Sequence, residues 1–120
     1  MTAFQLPHNH GESQKEFCLK DQLDKPEMFQ AAADLFKLLD DNSRLRIFWL
    51  LCHCEECVIN ISAMVGMTCP AVSHHLRQLK TGGLITSRRN GKEVYYKASD
   101  TKESRLLHKT IEKIIDISCP

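Results

Sequence analysis

Six cysteines stand in this 120-residue chain, at positions 18, 52, 54, 57, 69 and 119, and three of them fall within the run Cys52-His53-Cys54-Glu55-Glu56-Cys57. Thiolates are soft donors that favour Cd(II), Pb(II), As(III), Cu(I) or Zn(II), and three of them make the trigonal set a metalloid prefers. A turn can fold Cys54 and Cys57 onto one ion, since a two-residue gap is the commonest zinc-ligand spacing. Thiols close to one another equally suit oxidation or persulfide chemistry. Each cysteine also has a plainer reading. Cys52 stands where a helical pattern expects an apolar residue, and so packs as a small hydrophobe. Cys54 occupies a turn. Cys69 opens a helix whose dipole lowers a thiol pKa, or is simply a small residue there. Cys119 lies one residue from the end and is a candidate partner for another thiol.

A second constellation runs from Met67 to Leu84, MTCPAVSHHLRQLKTGGL. Val72, Leu76 and Leu79 repeat at four and three, which stacks them on one helical face. The other face carries Ser73, His74, Arg77, Gln78 and Lys80, with no carboxylate, and suits a polyanion with readable base edges. An ordinary amphipathic surface helix would look similar. His74 and His75 point about 100° apart, so only one can face a ligand squarely; His74 belongs to the polar face and His75 to the edge of the core. Pro70 fits a first turn, and Gly82 and Gly83 are expected to end the helix with positive φ.

These residues need elements to hold them. Residues 1 to 25 show no sustained periodicity and read as a flexible N-terminal arm, with residues 26–120 as one domain. A helix is expected from Glu27 to Asp40, a mostly buried one from Ser43 to His53, and a short extended stretch at Cys57-Val58-Ile59. Asn60 then caps a third helix over Ile61 to Val65, which Gly66 ends. Two strand patterns, Leu84 to Arg88 and Val94 to Lys97, flank Arg89-Asn90-Gly91, and Asn-Gly between alternating segments signals a hairpin. Arg88, Arg89 and Lys92 would let this hairpin reach phosphate. A last helix spans Thr101 to Ile117, with an apolar face (Leu106, Leu107, Ile111, Ile114, Ile115) broad enough to expect a second copy against it.

The net charge of +1 gives no global basic signal, but Arg77, Lys80, Arg88, Arg89 and Lys92 precede the first following acid, Glu93, and Lys97 lies just beyond. Such a local patch is enough for phosphate contacts. No run approaches the length of a membrane span and the N-terminus does not read as a signal peptide, so a cytoplasmic protein is expected. No nucleophile, base and orienting group assemble into an enzymatic signature.

The order helix, helix, short strand, helix-turn-helix, hairpin, helix is that of a mainly α protein with a small β-hairpin, a winged helix-turn-helix. From about Leu35 to Ser99 the chain resembles the ArsR/SmtB family of metal-responsive repressors, through LLDDNSRLRI (38–47), Glu55 to Ile61, AVSHHLRQLK (71–80), GGLI (82–85) and SRRNGKEVYYK (87–97). The resemblance implies a homodimer built from the first and last helices, a double-stranded DNA operator of imperfect palindromic form, and release of that operator by an inducer. Its thiolate site, Cys-Val-Cys-Asp, meets Cys57-Val58-Ile59-Asn60, so only Cys57 is kept; Cys54, Cys52 and an arm cysteine, Cys18, are the candidates to complete a set for Cd(II), Pb(II) or As(III), with Zn(II) less favoured. The resemblance's second site uses a carboxylate and histidines along the last helix, Asp-x-His then His-x2-Glu. Here both histidine positions hold lysine, Lys102 and Lys113, and no zinc or nickel site of that kind is expected. His108 and Glu112 stand four apart on one face, which could hold an ion, but they read more simply as a solvated salt pair. A thiol-redox or persulfide-responsive repressor of the same fold is the alternative.

Overall fold

The computed structural model describes residues 6–8, 10–11 and 13–116. Among these described residues, six helices and three strands follow in the order α1 (Ser13–Leu23), α2 (Pro26–Leu38), α3 (Asn42–His53), β1 (Glu56–Cys57), α4 (Val58–Val65), α5 (Cys69–Thr81), β2 (Ile85–Asn90), β3 (Glu93–Ala98) and α6 (Lys102–Ile115). The chain divides into two compact units within α2, between Asp34 and Leu35.

The first unit corrects one expectation. Residues 13–23 are helical, not an arm without regular structure. Glutamate, glutamine, lysine and leucine are good helix formers, and Lys20 pairs with Asp24 one turn on at 2.6 Å. Propensity makes this helix rather than an apolar stripe, so a search for periodicity passes over it. Cys18, Leu19 and Leu23 are exposed on it.

The second unit is built around α3. Ile47 and Phe48 are fully buried and Leu51 nearly so, packed with Ile61 of α4, Val72, Leu76 and Leu79 of α5, Leu84, Ile85 and Ile111. The three α5 residues are the apolar stripe expected there. Asp41 caps α3 by accepting a hydrogen bond from the Arg44 N–H at 2.9 Å, and this bond holds the Asp41 carboxyl below its ordinary pKa. Thr68 and Thr101 cap α5 and α6 in the same manner. The third helix starts earlier than expected: Cys57, not Asn60, is its N-cap residue. Asn60 lies inside the first turn, and its amide donates to Glu56 at 2.7 Å.

Two glycine expectations also change. Gly83 has φ +83°, but Gly82 is right-handed at φ −78°. Gly82 is there for space, since a Cβ on it would come within 2.1 Å of Leu38 Cδ1. The hairpin turns one residue later than Asn-Gly suggests. Asn90 still pairs with Glu93, and the two-residue loop is Gly91-Lys92, with Gly91 at φ +68° in the first central position. The sheet has three strands in the order β1-β3-β2, all antiparallel, because Glu56 and Cys57 pair with Tyr96 and Tyr95.

Because Ile47 and Phe48 have no exposure to lose, their truncation leaves cavities. Ile47→Val is expected to destabilise the protein by about 1 kcal/mol and Phe48→Ala by about 3–5 kcal/mol. Urea unfolding would register both as lower midpoints with an unchanged denaturant slope, and a full-stability Phe48→Ala would contradict this core.

Candidate functional site

Two regions carry the chemistry-bearing residues. The first is α5 with the hairpin. His74, Arg77 and Lys80 are exposed on one side of α5, opposite the buried stripe, with Ser73 half-buried beside them. Residues 57–92 contain no aspartate or glutamate. Lys80 donates to Ser87 Oγ at 2.7 Å and so ties the helix to β2. Arg89 and Lys92 are exposed at the hairpin.

Besides Lys80, two more of the expected DNA-facing residues have protein partners. Gln78 is half-buried, and its carbonyl accepts from Arg44 Nη1 at 2.7 Å, which leaves only its amide N–H₂ free to reach outward. Arg88 forms a bidentate pair with Glu55, 2.9 Å and 2.7 Å, and lies over the Tyr95 ring at 5.1 Å. The hydrogen bonds from Arg88 hold the Glu55 carboxyl below its usual range. Strand alternation puts Arg88 and Arg89 on opposite faces. His75 is half-buried. Arg44 Nη1 lies 3.4 Å from its Nδ1, and an arginine can only donate, so Nδ1 accepts and the proton sits on Nε2, 3.9 Å from Asp41. Desolvation lowers the His75 pKa.

The second region is the turn from α3 into β1. Cys52 packs against the core, and its thiol is pushed up to about 12, first by desolvation and then by the charge of Glu112. Cys54 is the C-cap residue of α3; its thiol donates to Leu50 O at 3.5 Å, and desolvation raises its pKa. Cys57 is buried. These three thiols do not form a cluster with one another. Cys18 and Cys69 are exposed, each in its own unit. Cys119 lies outside the described residues.

Among the described residues, one group of three potential ligands does come together: His53 at the end of α3, with His108 and Glu112 of α6. His53 Nε2 lies 2.9 Å from Glu112 Oε2, His108 Nε2 lies 3.1 Å from the same oxygen, and the two Nε2 atoms are 3.0 Å apart. Trp49 Nε1 donates to that oxygen at 3.2 Å. Desolvation would raise the Glu112 pKa, but the hydrogen bonds from His53, His108 and Trp49, with the charge of His108, outweigh it and the net shift is downward. The expectation of a solvated salt pair is therefore corrected: the imidazole of His108 and the carboxyl of Glu112 are only 26% and 22% exposed, and a second imidazole, that of His53, faces them. Sequence reasoning missed His53 because it lies 55 residues from His108. The available signal was the helical register of His53 at the end of a buried helix. A cavity of about 330 Å³ opens beside the group, lined by His53, His108, Cys52 and Cys54 among others.

The buried stripe of α5, its acid-free outer face and the basic hairpin define a winged helix-turn-helix of the DNA-binding class. The model of the bacterial regulatory protein arsR family matches residues 41–87. Cadmium resistance transcriptional regulatory protein CadC of Listeria innocua is 36% identical over 78 residues, 64% of this chain and 66% of that protein. A transcriptional repressor SmtB homolog of Synechocystis is 35% identical over 85 residues, 71% of this chain and 64% of that protein. The chain thus spans just under two thirds of the length of these relatives. The homodimeric winged helix-turn-helix DNA-binding domain Mb0332 of Mycobacterium bovis, described as a possible ArsR-family regulator, superposes with a TM-score of 0.68 at 30% identity, covering 77% of this chain and 84% of that one. The chain belongs to the ArsR family of winged helix-turn-helix transcriptional regulators.

The thiols differ enough in surroundings to be separated by alkylation. At neutral pH, iodoacetamide should label Cys18 and Cys69 readily, while Cys52 resists until the chain is unfolded, because only the thiolate is nucleophilic. Mass spectrometry of the labelled peptides reads this order; early labelling of Cys52 would overturn its assignment to the core.

Proposed function

We propose that this protein is a dimeric transcriptional repressor that binds a palindromic operator and leaves it when a soft metal or metalloid ion is bound through cysteine thiolates. The observation that carries the DNA-binding reading is the outer face of α5 and the hairpin: His74, Arg77, Lys80, Arg89 and Lys92 exposed within an acid-free stretch of 36 residues, 57–92. In helix-turn-helix proteins the second helix enters the major groove and phosphate contacts fix its register. A dimer is supported by apolar surface that one copy leaves uncovered. Leu106 is 58% and Ile114 76% exposed on α6. An apolar groove of about 330 Å³ lined by Leu45, Trp49, Leu50, Met64, Ile111 and Ile115 adjoins them.

The inducer reading rests on Cys54 and Cys57, which cap the end of α3 and the start of α4, with Cys18 as the candidate third thiolate. It is supported by relatives named for cadmium resistance and for the arsenical resistance operon of Escherichia coli. Cys52 is the weakest candidate because desolvation, and then the charge of Glu112, disfavour its thiolate.

The test is release of an operator duplex, selected from random sequence, by Cd(II), Pb(II), As(III) and Zn(II) in separate titrations, with polysulfide and peroxide alongside. Release by a soft ion that is lost in Cys57→Ser, with DNA affinity nearly intact, is the expected result. Release by oxidant alone, reversed by reductant, would replace the metal reading with thiol-redox control. On the DNA side, Arg89→Ala should weaken binding across sequences and reduce the salt dependence by about one phosphate contact. Arg88→Ala should cost less, since Glu55 already neutralises that guanidinium. An Arg89→Ala protein with unchanged salt dependence would remove the hairpin from the interface.

A further inference from the structure

We propose that His53, His108 and Glu112 form a second, thiol-free cation site within one protomer, which takes a borderline divalent ion of the Zn(II), Co(II) or Ni(II) class and pins the end of α3 to α6. Proton bookkeeping points to it. Three atoms, His53 Nε2, His108 Nε2 and Glu112 Oε2, lie 2.9–3.1 Å from one another. A neutral imidazole nitrogen either donates or accepts, never both. If both histidines donate to Glu112, the two N–H groups oppose each other; if one donates to the other, the acceptor has no proton left for Glu112. Protons therefore satisfy two of the three contacts, whereas one cation among them satisfies all three.

The spacing fits such an ion. With bonds of about 2.0–2.1 Å, tetrahedral zinc ligands lie roughly 3.3 Å apart, so the triangle needs to open by only a few tenths of an ångström. Two imidazoles and one carboxylate are a borderline donor set, softer than calcium or magnesium sites and harder than a thiolate site. Trp49 Nε1–H donates to Glu112 and orients the carboxylate, the kind of support a ligating carboxylate needs. The cavity that His53 and His108 line adjoins the group, which leaves room for water or an exogenous ligand as a fourth donor. This arrangement differs from a pattern along the last helix alone, because one ligand comes from α3 and the lysines at 102 and 113 play no part.

The site is independent of the thiolate reading above, and its test keeps the two apart. Full-length protein carrying Cys54→Ser and Cys57→Ser is titrated with Co(II) in the absence of DNA, and Zn(II) is then used to compete. One equivalent per protomer is expected, with visible d–d absorption of a four-coordinate centre, no sulfur-to-cobalt charge transfer, and a change in the fluorescence of Trp49, the one tryptophan of the chain. His108→Ala and Glu112→Gln should each weaken binding at least about tenfold, while Trp49→Phe keeps all three ligands and weakens it less. Circular dichroism of each ion-free variant checks the fold, and Glu112→Gln retains an acceptor of the same shape should His108→Ala fail that check. No cobalt binding by the parent, binding undiminished in a folded Glu112→Gln, or a charge-transfer band persisting without Cys54 and Cys57 would each overturn the proposal. Failure of operator release by soft ions would instead sink the thiolate reading and leave this site standing.

Discussion

Burial of the apolar side of α3 fixes where every functional group in the second unit can be. Ile47, Phe48, Leu50 and Leu51 are 8% exposed or less, and removing side chains of this size from water is worth about 1.5–3 kcal/mol each. The helix packs on α4, α5, β3 and α6. With its apolar side committed, its polar residues have no freedom of placement: Arg44 falls at its start beside α5, and His53 falls at its end beside α6. The DNA-facing helix and the last helix are thus both referenced to one buried rod. Interiors at crystal-like packing density transmit displacements instead of absorbing them.

Arg44 converts that reference into an orientation for α5. Its guanidinium donates to Leu38 O at 2.6 Å, to Gln78 at 2.7 Å and, more weakly, toward His75 and Lys37 O. Half-burying a charge is costly unless its donors are satisfied, and these partners come from the end of α2 and the inner edge of α5. Gln78 and His75 are consequently held against the body of the protein, and the rotation of α5 that satisfies them turns His74, Arg77 and Lys80 outward. The side chains that α5 leaves exposed are those left over once Arg44 has been served.

Fold and family were legible in the chain because they rest on local signals. The stripe of α5, the end of α4 at Gly66 and the hairpin were all visible as spacing or turn chemistry. What was not legible depended on distance or on compensation. The α1 helix has propensity without a stripe. Asn90-Gly91 is a strong hairpin signal, yet the register set by Ile85 and Ala98 moves the loop on by one residue. The candidate site divides in the same way. Cys52, Cys54 and Cys57 attract attention because they are close in sequence, but helix α3 ends between them and the three do not come together as one ligand group. His53, His108 and Glu112 are scattered in sequence and meet because α6 packs back on α3. Chemistry that is close in the chain need not be close in the fold.

The turn from His53 to Cys57 connects the thiols, the imidazoles and the hairpin. Within five residues it touches three parts of the molecule: His53 faces α6, Glu55 holds Arg88 of the hairpin, and Cys57 pairs with Tyr95 of β3 while capping α4. Neither anchor is loose, since one is a bidentate ion pair and the other a strand register. A displacement of this turn is therefore carried into the hairpin through Arg88 and into the helix before α5 through Cys57. The Glu55–Arg88 pair also sets the charge that the hairpin offers: while it is closed, one of the hairpin's arginines is neutralised within the protein, and opening it would free that guanidinium. Both proposed ligand sites, at the thiols and at the imidazoles, adjoin this one short turn.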